Sequence, residues 1–487
     1  MIKIEGGEHS LKINPEHYFV LHGNKVIKDL HELVHFLKTI DKKTFEYHVN
    51  DEKNDFSNWI RYVFKLRKLA ESIDDLRYED LETIEDLIQK HLDQVKILVV
   101  NGGSSSLKFQ LIDLHSKNVY IKGVVDAINI LDRCNIKYTI NGETITKNAN
   151  AKNHDEAVVL MINELLHNDI IGDISEINAV GHRVVHGAEI YTEPVLIDYT
   201  VIDKLKEISN LAPLHNPANI SCIEAAMGVF NCPHVAVFDT AFHSTIAPEK
   251  FMYALPYEYY EKYKIRKYGF HGSSHKYISN LLSDYYKLSN KKSSKIITCH
   301  LGNGCSIAAI KNGKSINTTM GFTPLDGLMM GTRSGSIDPA IIPYLESNYN
   351  MQGEQIRKIL NSQSGLLGIS GHSDMRDIYE SKEEPKSKLA MDMFADRLTH
   401  YIGAYIAELG GVDGIAFTGG IGENAHYIRK KVLENFDYIG LKLDNKKNEK
   451  NEFIISNKDS KVTVFVLETN EELQIAMDTK KLLKLQD

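Results

Sequence analysis

The segment at residues 95–113, VKILVVNGGSSSLKFQLID, has the most informative pattern of apolar and polar positions in the chain. The apolar run at 97–100 ends in a turn rich in glycine and serine, after which apolar residues alternate with polar ones. Alternation beside such a turn predicts a β-hairpin with one buried face. The glycines allow close backbone approach, and the hydroxyls and Lys108 are donors, so the turn suits a phosphate chain. Taken alone, a plain hairpin turn is the simpler interpretation.

From residue 96 onward, strand and helix patterns alternate, which is typical of α/β proteins. The apolar patterns predict strands at 96–100, 106–112, 119–125, 178–185, 234–239, 295–301, 305–310, 414–418 and 462–467. They predict helices at 154–167, 217–229, 273–287, 389–409, 424–435 and 470–484. Asn312-Gly313, between two strand-like runs, predicts a hairpin turn. Because the strand–hairpin–helix order recurs after about residue 295, we expect two similar lobes with a ligand-binding cleft between them.

The first 95 residues differ from the rest of the chain. Helical periodicity at 29–39, 56–72 and 79–94, together with the single tryptophan, Trp59, predicts a separate small helical domain. A chain of 487 residues is also too long for one hydrophobic core. The predicted domains are therefore a helical accessory module at 1–94, an N-terminal lobe at 95–245 and a C-terminal lobe at 246–487.

Composition narrows the class of protein. Hydrophobic residues make up 43% of the chain and charged residues 25%, as in soluble globular proteins. No apolar stretch approaches the roughly 20 residues that span a bilayer, and the start MIKIEGGEHS lacks an export pattern, so we expect a cytoplasmic protein without membrane contact. The net charge of −8 argues against binding to duplex nucleic acid. Five cysteines without a CxxC pair indicate reduced thiols rather than disulfides or a zinc site.

Loops rich in glycine and polar residues follow or adjoin several other strand-like runs. They are GHRVVHGAE (181–189), FDTAFH (238–243), YGFHGSSH (268–275), HLGNGCS (300–306), MGTRSGSIDP (330–339) and FTGGIGENA (417–425). Any one of them can be explained as a structural turn. Together with the first hairpin they contribute two arginines, an aspartate and a lysine, which predicts an anionic ligand held by local cations and backbone N–H groups.

Two segments resemble nucleotide-binding fingerprints but lack other residues that those sites require. Residues 420–425 fit GxGxxG/A, but no acidic residue ends a clear following strand about 20 positions later, where the ribose contact is expected. Residues 312–315 end like a Walker A loop, but Ala308 stands in the place of its first glycine. Neither segment predicts a Rossmann or P-loop site.

In these motifs the chain closely resembles acetate kinases, members of the superfamily of acetate and sugar kinases, heat-shock ATPases and actin. The resemblance covers about 96–487 and follows the family's order through VVNGGSSSLKF, GHRVVHG, LAPLHNPAN, FDTAFH, YGFHGSSH, HLGNG, MGTRSG, TGGIGEN and ETNEEL. It implies an α/β fold of two ribonuclease-H-like lobes, as in actin-like ATPases, with Mg-ATP in the cleft, and a homodimer. It also implies a phosphotransferase with a carboxyl acceptor, which transfers a phosphoryl group reversibly and in line from ATP to acetate, giving acetyl phosphate and ADP. A propionate or butyrate kinase stays open as an alternative, as does an actin-like ATPase of conformational role.

The same resemblance assigns the site residues. It implies ligands for magnesium or manganese at Asn101 and Glu471, and catalytic roles for Arg183, Asp239, His271 and Arg333. It implies an acetate pocket formed by Arg183, Val185, Leu214, His215, Phe270 and Pro324. It implies ATP and ADP contacts at Lys108, His300, Leu301, Gly302, Asn303, Gly304, Asp374, Met375, Arg376, Gly420, Ile421, Gly422, Glu423 and Asn424. Because carboxylic acids titrate near about 4 to 5, acetate is already ionised at neutral pH, and we expect Asp239 to order the metal ion or its water shell.

The chain departs from the family pattern at a few positions that flank the matched catalytic residues. Ala188 replaces a glycine, Cys305 replaces a small alanine, and Ser336-Ile337 replaces Asp-Leu, which leaves substrate preference open. Residues 19–40 and 45–64 resemble a small helical module of unknown role that is attached to various prokaryotic proteins. That second resemblance implies an accessory function, such as binding an unknown partner.

Overall fold

The chain divides into two compact units. The computed structural model describes residues 15–130, 132–213, 215–288 and 294–485. Unit 1 comprises the described parts of Met1–His182, Ala218–Val235 and Thr479–Asp487, and unit 2 those of Arg183–Pro217 and Ala236–Asp478. The domain boundaries that the sequence suggested after residues 94 and 245 stay predictions, as does the cleft.

Unit 1 begins with a small helical region. Its elements are β1 (Phe19–Val20), β2 (Val26–Ile27), α1 (Leu30–Leu37), α2 (Lys42–His48), α3 (Asp55–Tyr62), α4 (Arg67–Ile73) and α5 (Leu81–Leu92). The side chains of Asp29, Asp41 and Asn54 accept backbone N–H bonds and so cap the first three helices. Buried apolar residues from this region form a hydrophobic cluster of their own. The predicted N-terminal helices are confirmed, except that 56–72 is two helices interrupted near Lys65, which has a left-handed φ of 62°.

The remainder of unit 1 is built on a mixed β-sheet. In chain order the next elements are β3 (Lys96–Gly102), β4 (Ser106–Asp113), β5 (Asn118–Asp126), β6 (Asn135–Ile140), β7 (Glu143–Asn148), α6 (His154–His167), β8 (Ala179–Val184), β9 (Val195–Leu196), α7 (Tyr199–Glu207), α8 (Asn216–Met227) and β10 (His234–Phe238). Strand β3 pairs antiparallel with β4 and parallel with β8, and the strand order in unit 1 is β7-β6-β5-β4-β3-β8-β10, whereas β9 and α7 belong to unit 2. Both β8 and β10 run on from unit 1 into unit 2. The hairpin predicted at 96–112 is confirmed, whereas β6 and β7 went unpredicted; no residue of β7 is buried, but Ile136 and Tyr138 of β6 are.

The helical region and the sheet region of unit 1 approach each other closely at residue 172. A Cβ atom on Gly172 would collide with the carbonyl oxygen of Lys65, so only glycine fits here. Nearby, the Lys96 ammonium lies 2.5 Å from a carboxylate oxygen of Glu176, and both side chains are more than nine-tenths buried. These two residues and His91 line a pair of cavities between the two regions.

Unit 2 contains a second mixed sheet of five strands. Its further elements are α9 (Pro248–Phe251), α10 (Tyr257–Tyr263), α11 (Gly272–Leu288), β11 (Lys295–Leu301), β12 (Cys305–Lys311), β13 (Lys314–Thr318), α12 (Ile341–Tyr349), α13 (Gly353–Ser362), α14 (Gly365–Ser370), α15 (Met375–Glu380), α16 (Pro385–Leu409), β14 (Gly414–Thr418), α17 (Gly419–Asn424), α18 (His426–Leu433), α19 (Asn445–Glu449), β15 (Thr463–Val466) and α20 (Glu471–Leu483). The strand order is β13-β12-β11-β14-β15, with β12 antiparallel and β14 parallel to β11. The series β5-β4-β3-β8-β10 repeats this order, which confirms the predicted α/β class with two ribonuclease-H-like sheets.

Local predictions in unit 2 hold with one exception. Asn312 and Gly313 have φ angles of 52° and 77° and join β12 to β13, so the predicted hairpin turn is confirmed. The helix predicted at 424–435 is wrong in its start, because α17 ends at residue 424 and α18 begins only after Ala425 leaves helical geometry. All five cysteines are free thiols. Within the described ranges, no helix is both long and apolar enough to cross a bilayer.

Candidate active site

A buried ion pair lies in unit 2 where two neighbouring strands end. Arg183 is near the end of β8, Asp239 follows β10 directly, and the backbone N–H of Asp239 donates to the carbonyl of Val184 at 3.0 Å. The guanidinium of Arg183 donates to both carboxylate oxygens of Asp239, from Nε at 3.0 Å and from its terminal nitrogen at 2.6 Å. A carboxylate oxygen of Glu471, at the start of α20, lies 3.8 Å from Nε of Arg183. Three residues that the sequence singled out therefore lie together.

Burial and the neighbouring charges have opposing effects on the pKa values of both members of this ion pair. Burial raises the pKa of Asp239, Arg183 partly offsets this rise, and Glu471 adds to it. Burial disfavours the charge of Arg183, but attraction to Asp239 and Glu471 outweighs burial and raises the pKa of the guanidinium. Because both oxygens of Asp239 accept bonds from Arg183, the pair is ionised. The carboxylate oxygens of Asp239 and Glu471 are donors of the kind that suits a divalent cation.

Arg333 has a different environment. Its terminal nitrogen donates to the carbonyl of Pro324 at 3.2 Å and contacts the sulfur of Met330 at 3.8 Å. Burial lowers the pKa of this guanidinium. In the part of the chain that the structure describes, no carboxylate pairs with Arg333. Its positive charge is therefore available to an anion.

His271 faces the same point as Arg333. A Cβ atom on Gly304 would lie 3.4 Å from Nε2 of His271 and 3.5 Å from the terminal nitrogen of Arg333, so any side chain there would fill the space beside both groups. His271 precedes α11 with a left-handed φ of 57°, an uncommon conformation for a residue other than glycine. Burial first, then the charges of His300, His275 and the two arginines, hold the pKa of His271 well below its usual range. His271 is therefore neutral at pH 7.

The predicted acetate pocket is partly assembled. Val185 and Phe270 are buried in the same hydrophobic cluster, and the Pro324 carbonyl accepts the bond from Arg333 described above. Burial lowers the pKa of His215, and so do the charges of Arg183 and Arg333. His215 thus lies within electrostatic reach of both arginines, whereas Leu214 lies outside the described residues.

A cavity of about 980 Å³ in unit 2 collects most of the predicted nucleotide contacts. Its predicted lining residues are Gly302, Asn303, Asp374, Met375, Arg376, Gly420, Ile421 and Asn424. Tyr379 and Tyr427 also line the cavity and stack with their ring centroids 3.7 Å apart. Hydrogen bonds from the Arg376 side chain and backbone lower the pKa of Asp374 to about 2, which fixes a charged pair at the rim.

Other predicted nucleotide contacts have different surroundings. Leu301 is fully buried in the core, and the Glu423 carboxylate accepts the backbone N–H of Gly419 at 2.8 Å. His300 bonds through Nδ1 to the hydroxyl of Ser274 at 2.8 Å. Together with Gly304 and Gly422, these residues do not line the cavity as the described residues form it, and their roles stay predictions.

Sequence reasoning missed Arg429, the largest fully buried side chain among the described residues. Its guanidinium donates to the carbonyls of Gly422 and Glu423 at 2.8 Å each, and to the side-chain oxygen of Asn448 at 2.8 Å. These bonds hold the end of α17, which lines the cavity. Arg429 lies in the basic stretch HYIRKKVL of α18, where nothing in the sequence separates it from its solvated neighbours.

Asn101 and Lys108 belong to unit 1. They are direct partners in the antiparallel register of β3 and β4. The neighbouring carbonyl of Gly102 accepts a bond from the Asn219 side chain at 2.6 Å, which ties this strand end to α8. The metal and ATP contacts of Asn101 and Lys108 stay predictions.

Comparisons with known proteins cover the same part of the chain. An acetate kinase of Thermoanaerobacterium thermosaccharolyticum is 51% identical over 401 residues, which is 80% of this chain and 99% of that protein. The crystal structure of Porphyromonas gingivalis acetate kinase is 42% identical, covers 80% of this chain and 100% of that chain, and has a TM-score of 0.76. A propionate kinase structure from Francisella tularensis is also 42% identical, covers 79% of this chain and 98% of that chain, and has a TM-score of 0.74. Residues 96–477 match the profile of the Acetokinase family, and the chain belongs to that family.

Proposed function

We propose that this protein is an acetate kinase, which transfers the terminal phosphoryl group of ATP to acetate and catalyses the reverse reaction. The observation that carries the proposal is the pair formed by the Arg333 guanidinium, without a carboxylate partner among the described residues, and the neutral His271 at Gly304. A cation and a hydrogen-bond donor at one point suit the oxygens of a phosphoryl group in transfer.

The chemistry needs charge neutralisation more than proton transfer. Acetate is ionised at neutral pH, so it can attack phosphorus directly without a base. Its approach to the phosphate chain is opposed by repulsion between two anions, which the charge of Arg333 reduces. Arg183 acts in the same direction, and Asp239 positions it through the two hydrogen bonds of their ion pair.

His271 completes the charge stabilisation as a neutral donor. Because its pKa is held well below the usual range, the ring is neutral at pH 7, and acetate, which is already ionised, has no proton for it to remove. It instead donates one N–H to an oxygen of the phosphoryl group, whose charge is spread over its equatorial oxygens in the transition state.

A magnesium or manganese ion fits the carboxylate donors of the site. Glu471 would hold the ion, and the metal contact of Asn101, which the family pattern implies, stays a prediction. Asp239 contributes to the negative potential that attracts the ion, although both of its oxygens already accept from Arg183. When bound, the ion supplies positive charge to the phosphate oxygens of ATP. We also propose the homodimer that the resemblance implies.

The substrates would occupy adjacent parts of unit 2. The nucleotide fits the cavity of about 980 Å³, where the Tyr379–Tyr427 stack offers a flat apolar wall beside Asp374 and Asn424. The acetate methyl group would pack against Val185 and Phe270, which are both buried and apolar. These two side chains would limit the size of the carboxylate that can accept the phosphoryl group.

The test is a hydroxamate-trapping assay with ATP and a series of carboxylates. We expect acetate to give the highest kcat/KM and propionate to be slower, because one extra methylene changes binding in such a pocket by about 1–3 kcal/mol. Equal or higher kcat/KM for propionate would favour a propionate kinase, the alternative that the Francisella tularensis structure supports. ADP release that does not depend on any carboxylate would overturn both assignments and favour an actin-like ATPase.

A further inference from the structure

A chain of hydrogen bonds runs behind His271, on the side of the ring away from Arg333. Nδ1 of His271 bonds to the hydroxyl of Ser306 at 2.8 Å, and the same hydroxyl bonds to Nε2 of His275 at 2.8 Å. Nδ1 of His275 then bonds to the hydroxyl of Thr298 at 2.7 Å. Thr298, His275 and Ser306 are fully buried, so water does not complete their hydrogen bonding.

Among the described residues the Ser306 hydroxyl has only these two ring nitrogens as partners, so its buried proton must go to one of them, and two arrangements of the protons remain. Each neutral histidine ring has one N–H and one bare nitrogen, and each hydroxyl has one proton to donate. In the first arrangement Thr298 donates to His275, His275 donates to Ser306, and Ser306 donates to Nδ1 of His271. The proton of His271 is then on Nε2. In the second arrangement every bond is reversed, and Nε2 of His271 is a bare acceptor.

The environment of Thr298 decides between the two arrangements. Among the described residues, the only hydrogen-bond partner of its hydroxyl is Nδ1 of His275. In the second arrangement that hydroxyl would accept from His275, and its own buried proton would have no acceptor, which is costly. In the first arrangement every hydroxyl proton of the chain has an acceptor, and the remaining proton is on Nε2 of His271, which is half-buried and is not among the fully buried atoms that lack a partner.

We infer that Thr298, His275 and Ser306 are positioning residues that fix the proton of His271 on Nε2, the atom beside Gly304 and Arg333. The inference rests on the proposed function and deepens it, because it makes His271 a hydrogen-bond donor to the phosphoryl group and excludes a role as general base. His271 alone contacts the reacting group. The three residues behind it act through its ring.

The experiment combines kinetics and NMR on the full-length protein. Selective ¹⁵N labelling of histidine gives the protonation state of both ring nitrogens, and the His271→Gln variant assigns the His271 signals. The wild-type protein should show His271 with a protonated Nε2 and a bare Nδ1. The NMR measurement needs no turnover, so it tests the inference even where the proposed acceptor is wrong.

Two substitutions at one buried position separate hydrogen bonding from packing. Thr298→Val keeps the volume and removes the donor, and we expect kcat to fall about 3- to 10-fold while KM for ATP and acetate changes less than about twofold. Thr298→Ser keeps the donor, and its kcat should stay within about twofold of the wild-type value. Ser306→Ala breaks the link to His271 itself and should lower kcat about 10- to 100-fold, with loss of the single Nε2-protonated signal pattern.

Ser279→Ala is the matched control. Ser279 is equally buried, on α11, and its hydroxyl has no hydrogen-bond partner among the described atoms, so its removal should leave both kcat and the His271 spectrum unchanged. A wild-type His271 protonated on Nδ1 would overturn the inference, as would equal kcat losses in Thr298→Val and Thr298→Ser. Correct tautomer shifts without carboxylate-dependent activity would instead overturn the proposed function and leave the proton order intact.

Discussion

The two active-site arginines have the same side chain and opposite charge environments. Arg183 makes a bidentate ion pair with Asp239 and has Glu471 nearby, whereas Arg333 donates only to a carbonyl and a sulfur in the described part of the chain. The first guanidinium is therefore held in one orientation by a charge that it also neutralises. The second keeps its full charge for a ligand, at the cost of being buried without compensation.

The difference shows that two matched motif arginines need not have the same role. Arg333 is the stronger candidate for direct stabilisation of the phosphoryl group, because its charge is not cancelled locally. Arg183 combines binding with structural support. The following predictions are ordered by the size of the expected effect: the first two test this contrast directly, and the last two measure stability terms that do not depend on it.

The largest effect is expected at Arg333. Arg333→Ala should lower kcat by about 10³ to 10⁵, the range typical of a lost transition-state arginine, with the fold intact by circular dichroism. The measurement is carboxylate-dependent ADP formation. Arg357→Ala, which removes an exposed arginine paired with Glu354 on α13, is the control and should keep full activity. Residual activity above about a tenth of the wild-type kcat would contradict the role of Arg333.

The second prediction concerns the free energy of unfolding, which should fall when Arg183 is replaced but not when Arg333 is replaced. Arg183→Met leaves the buried Asp239 carboxylate without its partner and should lower the free energy of unfolding by about 3–5 kcal/mol. Arg333→Met removes a buried charge that lacks a carboxylate partner and should leave stability unchanged or raise it. Urea unfolding measures both values. Adding Asp239→Leu to Arg183→Met should recover part of the loss, and equal destabilisation by the two arginine variants would remove the contrast.

A third effect is acid sensitivity, which the arginines themselves do not explain because they do not titrate near neutral pH. Burial lowers the pKa of His186, His243 and His300 to about 4 each. Below the ordinary histidine value of about 6.5 the unfolded chain binds protons that the folded chain does not, so stability is full above that pH and falls as pH drops towards 4.

Each of these histidines should reduce stability by at most about 1.4 kcal/mol per pH unit in that window. Melting temperatures at pH 7.5, 6.5, 5.5 and 4.5, taken as about evenly spaced points across the titration, measure the trend. His243→Gln should make the decline shallower, because one titrating group is lost. A melting temperature that rises on acidification would refute this account.

The smallest effect is expected at Ala188, where the chain departs from the family pattern close to Arg183. Ala188 has a left-handed φ of 51°, a conformation that glycine adopts without steric cost. Ala188→Gly should therefore raise the free energy of unfolding by about 1 kcal/mol or less, since the flexibility of glycine in the unfolded chain offsets part of the gain. Unchanged kcat would confirm that residue 188 supports the loop and not the reaction. A loss of stability would show that the alanine methyl group contributes packing.

Local patterns predicted much of the fold because they are set by neighbouring residues. The β3–β4 hairpin and the Asn312-Gly313 turn follow from alternation and from residues that tolerate positive φ. Strand β7 escaped notice because its side chains do not alternate between buried and exposed. Such a strand forms only because a neighbouring strand supplies its hydrogen bonds.

The sequence indicated which residues belong to the candidate site, but it did not indicate which of them pair with one another. Arg183 and Asp239 are 56 positions apart, and only the folded sheet brings their strand ends together. Likewise, the lack of a carboxylate beside Arg333 among the described residues and the burial of Arg429 both depend on how distant segments pack. Motifs therefore indicated the candidate residues, and the three-dimensional arrangement was needed to separate an arginine paired with a carboxylate from one without such a partner among the described residues.

At Gly172 the sheet region approaches the N-terminal helical region so closely that one added methyl group would disturb the contact between them. The acetate kinase of Thermoanaerobacterium thermosaccharolyticum matches 80% of this chain and 99% of its own length, and the family match begins at residue 96, after Lys65. In this chain a methyl group at position 172 would collide with the Lys65 carbonyl, and Gly172 is not among the residues assigned to the reaction. The G172A variant thus offers a way to disturb the contact of the appended region at Lys65 while every other residue of the chain is kept.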